Sequence, residues 1–248
     1  MSLTKVLIPL ATSAFAEDPS IAIDSIRHVY LKKLLRYGLT PVLLSPLLPL
    51  EMADQLYAEC SGVLFTGGKD IHPDLYGATQ HPKMQLERRD REELEFHLLS
   101  AVLSDRKPFV GMCRGCQVLA VAGGGDLHQW LPDLELNEEH GTNVYWYRQL
   151  LDSKQHSLVV DRESKFFALT QRERLNLNSG HRQAVKSVGP GFRVAARSPA
   201  GIVEIIEHSD PNFFCYGFQG HPEAFDDGPY EVVFREFARA VREWAVAA

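Results

Sequence analysis

Through its first half the sequence alternates short apolar runs with longer amphipathic ones, and this rhythm restricts the fold more than any other feature. Lys5–Leu10, Thr40–Leu44, Gly62–Phe65 and Pro108–Met112 read as strands; Ile21–Tyr37, Leu50–Ala58, Arg88–Leu103 and Arg114–Ala122 read as helices. In Ile21–Tyr37 the residues Ile23, Ile26, Val29, Tyr30, Leu34 and Tyr37 fall on one stripe, and Gly38 supplies a stop. Such alternation predicts a parallel sheet covered by helices on both faces. The second half changes character. Ser157–Val160, Leu175–Leu177, Arg193–Ala196 and Ile202–Glu207 read as strands joined by short turns, followed by an apolar strand Phe213–Phe218 and a closing amphipathic helix Tyr230–Ala247. The expected fold is α/β: a three-layer sandwich on a mostly parallel central sheet, with additional antiparallel strands from the second half. With no low-complexity linker and no internal repeat, residues 1–248 read as a single domain.

Charge narrows the partners. Against 26 Lys and Arg stand 32 Asp and Glu, a net −6, whereas nucleic acid or an anionic membrane surface would favour a basic face. The longest apolar run, Pro41–Leu50, holds three prolines and is far short of the ~20 residues that span a bilayer. Lys5, Val6–Leu10 and Ala14-Phe15-Ala16 imitate a short signal peptide, but a buried first strand accounts for Val6-Leu7-Ile8 more simply. The four cysteines, Cys60, Cys113, Cys116 and Cys215, do not make a disulfide framework in a chain this long, so a reducing cytoplasm is the expected compartment.

The chemically informative stretch is Phe109-Val110-Gly111-Met112-Cys113-Arg114-Gly115-Cys116-Gln117. A buried strand passes through G-x-C-x-G straight into a helix, the nucleophile-elbow arrangement with Cys in place of Ser. Glycines on both sides let the chain pack closely around a strained nucleophile. The helix N-terminus favours the thiolate, and the Arg114 N–H points where an oxyanion would form. Other readings of Cys113 and Cys116 remain open: a C-x-x-C redox pair, half of a zinc site, or a buried strand-end thiol. A zinc site would lack its second pair, since Cys60 and Cys215 stand alone and no His is suitably spaced.

His221-Pro222-Glu223 follows the last apolar strand and should reach the same carboxyl edge of the sheet as Cys113. Glu223 can turn back to hold the imidazole in one tautomer, which gives a nucleophile, a base and an orienter.

Four segments resemble the class I glutamine amidotransferase-like fold, and within it the γ-glutamyl hydrolases of the peptidase C26 type. They are Phe65-Thr66-Gly67-Gly68-Lys69-Asp70-Ile71-His72-Pro73-Asp74-Leu75-Tyr76-Gly77; Arg89-Asp90 with Glu93, leading to Gly111–Gln117 and Gly124–Gln129; Asn178–Lys186; and Phe218–Glu223. Ala120 and Gly220 depart from it, standing where the family usually has Asn and often Trp, and Gly220 is expected to enlarge the pocket rim. The resemblance implies a flavodoxin-like sheet, with Cys113 as nucleophile, His221 as base and Glu223 as its orienter. It also implies an oxyanion hole from Gly68 and Arg114, with Gln117 and His181 facing the substrate. The implied reaction is hydrolysis of a small γ-glutamyl amide such as γ-glutamyl-γ-aminobutyrate through a thioester. It implies no metal and no organic cofactor, and it suggests a homodimer. Two alternatives stand beside it: a glutaminase subunit supplying ammonia to a separate synthase, and a non-catalytic binding or regulatory module. The amine pocket would be built from Asp70–Arg88 and Asn137–Gln155, the latter carrying Tyr145, Trp146 and Tyr147.

Overall fold

The computed structural model describes residues 3–14, 18, 21–136, 140, 155–226 and 228–247; Tyr145, Trp146 and Tyr147 lie outside them. A nine-stranded sheet organises the chain. It is built from β1 (Lys5–Pro9), β4 (Thr40–Leu44), β5 (Gly62–Phe65), β6 (Phe109–Met112), β8 (Gln155–Val160), β9 (Arg174–Asn178), β11 (Phe192–Arg197), β12 (Val203–His208) and β13 (Cys215–Phe218). Their spatial order is β4-β1-β5-β6-β13-β12-β11-β8-β9. The first five are mutually parallel, and the remaining pairs are antiparallel. The parallel half therefore has the doubly wound 2-1-3-4-5 order, which reverses direction at β1 and opens a crevice at the carboxyl ends of the strands.

Alternation along the strands explains the three layers. Val6 and Ile8 join one core cluster and Leu7 the opposite one, as successive strand side chains must. The first face is covered by α1 (His28–Arg36) and α6 (Pro229–Ala247); the second by α2 (Leu50–Ala58), α3 (Arg89–Asp105) and α4 (Arg114–Ala122). On α6 the buried positions are Tyr230, Val233, Phe234, Phe237, Ala238 and Val241, a 3.6-residue stripe facing the sheet. A short helix α5 (Lys165–Thr170) packs on the first face, and β7 (Asp126–His128) pairs with β10 (Ala184–Ser187) outside the main sheet. Among the described residues no helix is long and apolar enough to cross a membrane.

One predicted helix begins late. Instead of starting at Ile21, the chain forms β3 (Ala22–Ser25), paired antiparallel with β2 (Ala11–Ala14), and turns helical only at His28. Ile21 and Ile23 are exposed rather than on a buried stripe, and Asp24 accepts a hydrogen bond from the Thr12 hydroxyl at 2.6 Å across the hairpin. The hairpin packs over the crevice, where it bears on the site.

Candidate active site

A cavity of about 390 Å³ lies at the carboxyl ends of β1, β5, β6 and β13; Thr12, Tyr30, Gly67, Gly68, Cys113 and His221 are among its lining residues. That volume is in the range of small-molecule sites.

Cys113 joins β6 to α4 at φ 52° and ψ −104°, a conformation that costs a side-chain-bearing residue roughly 1–3 kcal/mol. Neighbouring structure enforces it. The Cys113 N–H donates to the Phe218 carbonyl at 2.6 Å, while the Cys113 carbonyl accepts from the Cys116 and Gln117 N–H groups at 3.1 and 3.3 Å. A Cβ on Gly111 would stand 2.5 Å from the Gly115 carbonyl oxygen, and one on Gly115 would stand 2.8 Å from that of Phe65. Only glycine fits at either position, so G-x-C-x-G is dictated by close backbone approach. The thiol is presented at the first turn of α4, where unpaired N–H groups favour negative charge.

Two backbone donors flank the thiol, Gly68 on the cavity wall and Arg114 directly after Cys113. Among the described residues neither the Gly68 N–H nor the Arg114 N–H meets a protein acceptor. The Thr66–Gly68 loop that presents the first is held from behind by Arg91. Its guanidinium donates to the Gly67 carbonyl at 3.1 Å and to the Thr66 hydroxyl at 3.2 Å. In front, the Gly67 N–H donates to the Tyr30 hydroxyl at 3.3 Å. Arg91 and Arg114 are fully buried among Glu87, Glu92 and Glu95. Arg91 bonds Glu87 and Glu95 at 2.9 Å each, and Arg114 bonds Glu95. Burial alone would push Glu87 up, but the Arg91 and Arg114 charges, with backbone N–H donors, hold it below the usual carboxylate range.

His221 leaves β13 at the same edge. Asn178 clamps its backbone at two points, accepting from the His221 N–H at 2.7 Å and donating to its carbonyl at 3.0 Å. The imidazole Nδ1 lies 2.8 Å from Glu223 Oε1 and 3.5 Å from the Tyr30 hydroxyl. Burial pulls the His221 pKa down. The Glu223 charge, hydrogen bonds with Cys113 and Glu223, and the Cys113 charge outweigh it and raise the pKa to about 10. That value lies above the ~6.5 of an unfolded imidazole, so the stabilisation is complete below that pH and is lost as pH rises through about 10. Titrating the His221 ring protons by NMR should show an alkaline midpoint that falls by at least ~1 unit in Glu223→Gln, roughly 1.4 kcal/mol per unit. An unmoved midpoint would show that the carboxylate does not set it.

Cys113, His221 and Glu223 are thus brought together, with Gly68 and Arg114 alongside. Gln117 and His181, expected to face substrate, do not line the cavity. The Gln117 amide donates inward to the Gln183 carbonyl at 2.8 Å, and His181 Nδ1 donates to the same carbonyl at 3.1 Å. Both side chains are satisfied by the interior. Gly220 also fails to open the rim: a Cβ there would stand 2.3 Å from the Asn178 carbonyl oxygen, inside packed backbone. The acidic–basic motif of α3 shifts by two residues. Arg89 and Glu93 are exposed and Asp90 half-buried, whereas Arg91, Glu92 and Glu95 form the buried set. Asn178 opens the third family-like segment without a role that the sequence assigns, and Tyr30 reads in the sequence as one more apolar-stripe residue. All four cysteines are buried, and burial raises the thiol pKa values of Cys60, Cys116 and Cys215, that of Cys60 to about 11.

The sequence profile of the peptidase C26 family matches residues 10–223. Protein NtpR of Enterococcus hirae is 32% identical over 185 residues, covering 71% of this chain and 74% of that one. The γ-glutamyl-γ-aminobutyrate hydrolase of Escherichia coli is 31% identical over 209 residues, covering 82% of this chain and 80% of its own. In fold, the chain superimposes on a glutamine amidotransferase from Thermotoga maritima with a TM-score of 0.58 over all of both chains, at 17% identity. The chain belongs to the peptidase C26 family of glutamine-amidotransferase-like hydrolases.

Proposed function

We propose that the protein hydrolyses a γ-glutamyl amide, γ-glutamyl-γ-aminobutyrate or a related γ-glutamyl amine, through a γ-glutamyl thioester on Cys113. The observation that carries this reading is a strained elbow thiol lining the same cavity as an imidazole that is itself held by Glu223, beside two unengaged backbone donors. The Cys113 thiolate attacks the γ-carbonyl carbon, and the oxyanion settles against the Gly68 and Arg114 N–H groups. As the tetrahedral intermediate collapses, the C–N bond breaks and the His221 imidazolium gives its proton to the departing amine. The neutral imidazole then takes a proton from water, whose oxygen attacks the thioester. Breaking the C–S bond releases glutamate and restores the thiol.

A second catalytic group on a separate subunit is not required for any of these steps. The purified chain, with nothing added, should therefore release glutamate from at least one γ-glutamyl amine with kcat/KM at least about tenfold above that for free glutamine, ~1.4 kcal/mol in transition-state binding. Added hydroxylamine should divert part of the product to γ-glutamyl hydroxamate by intercepting the thioester. Cleavage of glutamine alone, and only after a synthase subunit is supplied, would instead identify an ammonia-supplying glutaminase. No turnover of any amide, with an intact fold, would identify a binding module.

A further inference from the structure

Behind the segment that carries Gly180, side chains from four separate parts of the chain meet in the interior: His140, His156 at the start of β8, His181, and Glu204 on β12. Glu204 is fully buried, and neither of its oxygens makes an aligned hydrogen bond. Among the described residues it faces no Lys or Arg, only imidazole nitrogens: His156 Nε2 at 3.1 Å, His181 Nε2 at 3.6 Å and His140 Nδ1 at 3.8 Å from Oε1. His140 Nδ1 lies 3.4 Å from His181 Nε2. A carboxylate this deep needs a compensating positive charge held in good geometry.

These separations fit one geometry. Four N or O donors around an ion at about 2.0–2.1 Å stand roughly 3.3 Å apart along the edges of a tetrahedron. Glu204 Oε1 stands 3.1 Å from His156 Nε2 and 3.8 Å from His140 Nδ1, separations that bracket that edge, and the candidate donor atoms of His140, His156 and Glu204 all lie within 4.8 Å of one another. His181 stands beside the set: its Nδ1 donates to the Gln183 carbonyl at 3.1 Å, and its Nε2 lies 3.4 Å from His140 Nδ1. Imidazole nitrogens with a single carboxylate, buried and without thiolate, are the donor set of zinc and its first-row neighbours rather than of calcium or magnesium.

We propose that His140, His156 and Glu204 bind one divalent transition-metal ion, zinc by its donor chemistry. It ties β8 and β12 to His140, which meets Ser179 at 3.3 Å and His181 at 3.4 Å in the segment 178–181, whose Asn178 clamps His221 and whose Gly180 lines the catalytic cavity. This site stands apart from the γ-glutamyl reading and does not depend on it.

The test uses the full chain without an affinity tag, expressed in zinc-supplemented medium and measured for bound metal. About one zinc per chain is expected, retained in Cys113→Ala and reduced to below about a tenth in Glu204→Gln and His156→Asn. Because those variants could misfold, the wild type is also stripped with a chelator and titrated with Co²⁺ alone. The intense visible absorption of tetrahedral cobalt should grow to one equivalent, and zinc added back should raise the unfolding temperature in a concentration-dependent way. The proposal is overturned by a stripped wild type that shows neither response. It is equally overturned if zinc is lost in Cys113→Ala or kept in full by folded Glu204→Gln.

Discussion

Cys113→Ala is expected to lower the hydrolysis of γ-glutamyl amides by about 10⁴-fold or more, while circular dichroism and the unfolding midpoint stay near those of the wild type. The size follows from the chemistry. Without the sulfur no thioester forms, and only binding and the backbone donors remain to assist attack by water. The fold should tolerate the change because φ at position 113 is set by surrounding backbone bonds, and Ala meets the same strain there as Cys. Cys116→Ser is the informative partner. Cys116 is fully buried and its thiol pKa is pushed well up, first by burial and then by the Glu204 and Cys113 charges, so it offers no thiolate near neutral pH. Burying a hydroxyl in its place should cost about 1–3 kcal/mol of stability and leave most of the turnover intact. Equal loss in both variants would point to a dithiol mechanism, and loss in Cys116→Ser alone would end the present assignment.

Why Cys113 could be found in the sequence and the cavity could not is a matter of where each signal is stored. The elbow is local: β6, the two glycines and α4 are contiguous, and each glycine is forced by a contact within or beside the motif. The parallel half of the sheet is legible for the same reason, since each strand and its covering helix are adjacent in the chain. The β2–β3 hairpin was lost because Ile23 and Ile26 share a helical spacing with Tyr30 and Leu34. Asp24, bonded across the hairpin to Thr12, carried the contrary information in one residue. Gln117 and His181 show the converse error. A polar residue in a motif looks like a substrate contact, yet both spend their donors on the Gln183 carbonyl, a partner no spacing rule can supply. Likewise, His140, His156, His181 and Glu204 occupy four segments and converge only when β8 and β12 enter one sheet.

Arg91→Met should destabilise the protein by about 3–5 kcal/mol, a large part of the 5–15 kcal/mol that holds a typical domain folded. Arg91 is wholly enclosed, and its guanidinium serves Glu87, Glu95, the Thr66 hydroxyl and the Gly67 carbonyl at once. Removing it leaves Arg114 as the one buried guanidinium among Glu87, Glu92 and Glu95. The lost charge should also weaken the acid-side dependence of stability. Glu87 is held below its unfolded value, so its contribution is present above the ordinary carboxylate range and lost as pH falls, and that slope should shrink in the variant. Activity should suffer beyond any loss of folded protein, because the loop presenting the Gly68 N–H loses its rear anchor. Since one oxyanion donor is worth about 10²–10³ in kcat, loosening it should cost about a tenth to all of that, with KM changing less. Arg91→Lys keeps the charge but cannot reach four acceptors from one planar fork, and should fall between the two. Glu93→Ala, on the exposed side of the same helix, should stay within about 0.5 kcal/mol of the wild type. Denaturant unfolding of the four proteins decides the matter: a cost below about 1 kcal/mol for Arg91→Met would mean that this network does not hold the loop in place.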